Sequence, residues 1–107
     1  MYHVLASDKV VFCDVDDTLI IWEGRSYRPH KKHIDMLHKF HERGQPIVVW
    51  SAGGYEWAET IVKELGLSDI VEFIMCKPSW FIDDLPAAEF LPEINRIYLK
   101  DEEEVPV

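Results

Sequence analysis

Short, continuous apolar runs alternate along this chain with stretches whose apolar residues recur at helical spacing. Residues 10–13 form the first run, the pattern of a strand buried on both faces. Leu19, Ile20, Ile21 and Trp22 lead through Glu23-Gly24 into Arg25, Ser26, Tyr27 and Arg28, which predicts a small hairpin or flap turning at the glycine. Pro29 suits the first position of a helix running to about Arg43, with Ile34, Leu37 and Phe40 on one side and Gly44 as its stop. Residues 47–50 follow Pro46 as a second buried strand that ends at Ser51. A second helix is expected from about Tyr55 to Leu65, with Ala58, Ile61, Val62 and Leu65 as its stripe and Gly66 closing it. Residues 70–75 and 80–82 are further apolar segments, a short helix is expected near residues 86–91, and residues 97–99 are a candidate last strand. Strands alternating with helices predict an α/β fold, a mostly parallel sheet flanked by helices, without linker or internal repeat.

A length of 107 residues leaves room for one domain. A chain of this size buries roughly 65% of its unfolded surface, enough for a core. No apolar run reaches the ~18 residues of a membrane span and the N-terminus lacks a signal-peptide pattern, so a cytoplasmic protein without membrane contact is expected. Cys13 and Cys76 are too few for a disulfide framework and are read as reduced core residues. The formal net charge of −9 argues mildly against sequence-independent nucleic-acid binding. Part of that charge belongs to the acid clusters described next, so a nucleic-acid substrate stays open. Residues 100–107 are an acidic tail whose run at 101–104 is read as solvated.

The first apolar run stops at three carboxylates, Asp14, Asp16 and Asp17. Two like charges ~4 Å apart repel by about 4 kcal/mol at an effective dielectric near 20. Such a cluster persists where a cation neutralises it or catalysis uses it. Asp14, Asp16 and Thr18 share a parity and can converge at a strand's C-terminal end, where open α/β sheets bind ligands. Asp17, of the other parity, is read as structural. Two more apolar segments end in polar groups, Ser51 and the pair Asp83-Asp84, and Lys77 lies between them. Parallel strands would bring these ends to one edge.

This order of motifs resembles the haloacid dehalogenase-like (HAD) phosphohydrolase superfamily. An apolar strand leads into Asp14-Val15-Asp16-Asp17-Thr18, a second ends at Ser51, Lys77 supplies the basic residue, and Phe81-Ile82 runs into Asp83-Asp84. The resemblance covers residues 10–84, and its first and last motifs are the specific ones. It implies a single Rossmann-like domain of HAD type over residues 1–107. It further implies a phosphatase in which Asp14 is the nucleophile and forms an aspartyl-phosphate. Asp16 would protonate the leaving oxygen and then deprotonate water. Mg²⁺ would bridge Asp14, the Asp16 carbonyl, Asp83 and a phosphate oxygen, with Asp84 acting directly or through water. Thr18, Ser51, Ala52 and Lys77 would hold the phosphoryl group, Lys77 by neutralising its charge.

Only five residues separate Lys77 from Asp83. A parallel crossover needs a dozen or more. Either residues 70–75 are not a regular parallel strand or the sheet is cut down here. Neither of the family's usual insertion points has room for a cap domain, so a capless member is expected. Such members commonly take large phosphorylated substrates or use a neighbouring subunit of a homo-oligomer as lid. Specificity would fall to Trp22, Arg25, Tyr27 and Arg28 on the flap, with Tyr55 and Trp80, which could stack on a base or sugar and contact a second phosphate. His30, His33, His38 and His41 share one helix and are read as a solvated face. The competing classes are a catalytically silent HAD-like binding module, a phosphotransferase and a receiver-type signalling domain, whose motif order fits poorly.

Overall fold

The computed structural model describes residues 10–101. Strand β1 (Val11–Cys13) is followed by an antiparallel hairpin of β2 (Ile20–Glu23) and β3 (Ser26–Pro29), helix α1 (Lys31–Glu42), strand β4 (Ile47–Ser51), helix α2 (Tyr55–Glu64) and strand β5 (Phe73–Cys76). A short helix α3 (Ala87–Phe90) and a single 3₁₀ turn (Glu93–Asn95) come last. The main sheet has three parallel strands in the order β1-β4-β5, and the hairpin forms its own two-stranded sheet. The molecule is therefore a small α/β domain, as its apolar pattern predicts. Among the described residues no helix is long and apolar enough to cross a membrane.

Both crossovers step the same way across the sheet, so a common right hand sets α1 and α2 on one face. The register agrees. Val11 pairs with Ile47, Cys13 with Val49, and Val49 with Ile74, so these side chains share a face. They join Leu37 from α1 and Ala58, Ile61 and Val62 from α2 in one core. The opposite face carries Phe12, Trp50, Phe73 and Met75, and of these Phe12, Phe73 and Met75 are exposed.

Helix α1 starts two residues later than its sequence pattern suggests. Pro29 closes β3 instead, and the His30 side chain caps the helix by accepting from the His33 N–H. His30 and His33 are 0% and 5% exposed, which corrects the expectation of a solvated histidine face; His38 and His41 are exposed as expected. The two buried rings stack 3.7 Å apart. They take up the residues expected to form a last strand. Leu99 N–H donates to His33 Nε2 (2.7 Å) and its carbonyl meets His30 Nε2 (2.9 Å), so residues 97–99 form no strand because side chains do the work of a ladder.

Residues 80–82 are not a strand either. The chain leaves β5 at the C-terminal edge of the sheet, and three residues cannot carry it back to start a parallel neighbour. Trp80 and Ile82 are consequently 92% and 104% exposed. Of the two alternatives posed by the Lys77–Asp83 spacing, β5 is a regular parallel strand and the sheet is the part cut down. Two smaller corrections follow. Cys76 is exposed while Cys13 is buried, both as free thiols. Asp101 is not simply solvated, because it pairs with Arg28; residues 102–104 of the expected acidic run lie outside the described residues.

Candidate functional site

Val15 organises the site. Its side chain is fully buried, and its carbonyl accepts the N–H groups of Thr18 (3.1 Å), Leu19 (2.9 Å) and Ile20 (3.2 Å). The chain wraps around that carbonyl, turning through Asp17, which adopts a positive φ of 57°. With Val15 pointing in, its neighbours Asp14 and Asp16 are half-buried at the C-terminal end of β1. Asp17 is exposed; its carboxylate accepts from the Trp22 N–H (3.3 Å) and its carbonyl from the Tyr98 hydroxyl (3.1 Å), a structural role.

Two linked groups of side chains stand at this edge. In the first, the Thr18 hydroxyl donates to Asp14 Oδ2 (3.2 Å) and Lys77 Nζ lies 3.8 Å from Asp14 Oδ1. In the second, the Ser51 hydroxyl lies 3.5 Å from Asp16 Oδ2, and the indole N–H groups of Trp22 (2.9 Å) and Trp57 (3.1 Å) both donate to Asp16 Oδ1. The backbone joins the two groups, since Lys77 N–H donates to the Ser51 carbonyl (2.9 Å). Lys77 thus sits one residue beyond β5, directly against the strand that ends at Ser51. Cys13, next to Asp14, offers no competing nucleophile, because burial and then the charge of Asp14 push its thiol up to about 12.

Close packing holds the Ser51 side. Gly53 N–H donates to Ser51 Oγ (2.9 Å), and a Cβ at position 53 would lie 3.1 Å from Trp57 Cδ1 and 3.3 Å from Ser51 Oγ. A side chain at position 53 would push Trp57 and Ser51 back by a few tenths of an ångström, so glycine lets the loop leading into α2 lie closest to both groups. Ala52 is exposed in this loop. Trp57 and Gly53 belong to the site although the motif pattern does not single them out. The available signal was a large ring six residues after a strand-ending serine, off the apolar stripe of its helix.

Asp83 and Asp84 do not join these groups. Both are exposed beyond the failed strand, and Asp83 Oδ1 accepts from the Leu85 N–H (3.0 Å). Asp14 and the Asp16 carbonyl are hard oxygen donors of the kind Mg²⁺ takes. Among the described residues, however, no three His, Cys, Asp or Glu side chains stand together to hold a metal ion. The residues as arranged do not complete the expected Mg²⁺ site.

Fold and site together define a small α/β domain with a cluster of acid, hydroxyl and ammonium groups at one parallel-sheet edge. The chain belongs to the family described as a protein of unknown function (DUF705), whose model matches residues 2–85. That span holds every candidate residue from Asp14 to Asp84. No curated protein and no solved structure matches the chain.

Proposed function

We propose that this chain is a phosphomonoester hydrolase working through a covalent aspartyl-phosphate at Asp14. The supporting observation is the joining of Asp14, Thr18 and Lys77 to Asp16 and Ser51 at one sheet edge. Thr18 ties down Oδ2 of Asp14, which leaves Oδ1, the oxygen facing Lys77, to attack phosphorus. Lys77 and Ser51 hold the phosphoryl oxygens as charge moves onto them, and Ala52 in the adjoining loop belongs to the same phosphate-holding set. An indole N–H can only donate, so Asp16 Oδ1 must accept from both rings. The proton that Asp16 gives up therefore sits on Oδ2, beside Ser51. It passes to the leaving oxygen as the P–O bond breaks. Water then attacks the aspartyl-phosphate, returns a proton to Asp16 and frees phosphate and Asp14.

Mg²⁺ is the ion that the motif resemblance implies. Asp14 and Asp16 supply two of its expected donors, Asp83 and Asp84 stand apart, and no step is assigned to it. Asp14 and Lys77 keep part of their side chains exposed, which suits a large phosphorylated substrate or closure by a second copy of the chain. A silent binding module of the same fold is the second reading, favoured by the position of Asp83 and Asp84. Phosphate release from a broad panel of phosphomonoesters separates the two, run with Mg²⁺, with a chelator and with Asp14→Asn. Repeated turnover lost in the variant supports the hydrolase; no release from any ester supports the silent module. Stable phosphorylation of an acceptor alcohol in place of water would mark a phosphotransferase.

A further inference from the structure

Trp22 occupies an unusual position for a large ring. Partial exposure is ordinary for a tryptophan, and what sets this one apart is how firmly it is held. Trp22 leaves 38% of its surface exposed, yet it is fixed from several sides. Its indole N–H is bound to Asp16 and its backbone N–H to Asp17. Trp57 stacks on it at 6.1 Å with the planes 19° apart, and Tyr27 meets both rings edge-on at 5.0 and 5.8 Å. Tyr27 is anchored in turn, its hydroxyl donating to Glu64 (2.6 Å). A rigid ring with an open surface thus stands within hydrogen-bond distance of the carboxylate that, on the reading above, must touch the leaving oxygen. On that reading the leaving oxygen meets Asp16 at Oδ2, the neighbour of the oxygen that the indole holds, so the ring is the aromatic surface next to the leaving group. Arg28 and Trp80, grouped with Trp22 by sequence, are not part of this wall: Arg28 is tied to Glu23 and Asp101, and Trp80 projects from the segment after β5.

We infer that Trp22, braced by Trp57 and Tyr27, is a leaving-group platform selecting phosphomonoesters whose leaving group carries a planar aromatic ring. This rests on the phosphatase reading and on Asp16 as its acid. Offset stacking on a fixed indole favours a flat ring over a puckered one of equal size.

Benzyl phosphate and cyclohexylmethyl phosphate test this directly, being primary alkyl esters of similar leaving-group acidity and bulk that differ in ring planarity. The wild-type chain should favour the benzyl ester in kcat/KM by about 3- to 10-fold. Trp22→Leu should bring the ratio near one. Trp22→Phe, which keeps a ring and loses the N–H, should keep the ratio while slowing both esters. Benzylphosphonate and cyclohexylmethylphosphonate, which cannot be hydrolysed, give the same comparison as binding constants by calorimetry. Equal rates and equal binding in the wild type overturn the platform and leave the phosphatase standing. Benzyl-selective binding without hydrolysis of either ester supports the platform and overturns the phosphatase. A ratio unchanged in a folded Trp22→Leu also overturns the platform.

Discussion

Asp14→Asn keeps an oxygen for the Thr18 hydroxyl and nearly the same volume, so the fold should survive. It removes the charge that attacks phosphorus, and turnover should fall by about 10⁴-fold or more. Asp16→Asn fails differently. An amide still accepts from the indoles but cannot deliver a proton, so its loss should be largest, about 10²- to 10⁴-fold, for esters with poor leaving groups. Rates for a series of esters graded in leaving-group acidity check this: a slope equal to wild type would contradict the acid role. Gly53→Ala acts on the same carboxylate from a distance. Its methyl would press on Trp57 and Ser51, so turnover should drop more than stability does, read from kcat beside a melting curve.

At the level of elements, the residues that carry the cluster were legible because each lies at the end of an apolar run. Asp14 to Thr18 follow β1, Ser51 ends β4 and Lys77 follows β5, so a parallel sheet collects them whatever the loops do. Asp83-Asp84 obey the same local pattern and are not collected. The pattern records what a segment can be and not whether the chain has length to bring it there, and here the connection from β5 is too short. His30 and His33 depart from the expected solvated face for a related reason. His30 and His33 are polar by type, and what buries them is a segment near residue 99, invisible to helical periodicity. The helix core, by contrast, was plain in the stripe of α2. Ile61 is fully buried against β4, and Ile61→Ala should cost about 2–5 kcal/mol, measured by urea denaturation.

Across the whole molecule, the chain's last described residues are tied to the site loop twice, through the Tyr98 hydroxyl on the Asp17 carbonyl and through His33. Its Nε2 accepts from the Leu99 N–H, so the ring's proton is on Nδ1 and donates to the Thr18 carbonyl (2.7 Å). Only the neutral ring can make both bonds. Burial, chiefly, holds His33 below its ordinary 6.5; the His30 ring adds to that, while the Thr18 carbonyl and Asp101 oppose it. The folded state therefore binds fewer protons than the unfolded state in the window from 6.5 down to the lowered value, and stability rises with pH there. Asp101 does not answer in this window, because the Arg28 hydrogen bond holds its carboxyl below the usual range, so its contribution is lost only under stronger acid. The melting temperature should accordingly be lower at about pH 5 than at about pH 7.5. His33→Gln, whose amide offers a donor and an acceptor but does not titrate, should flatten that dependence. An unchanged pH slope in the folded variant would remove His33 as its source.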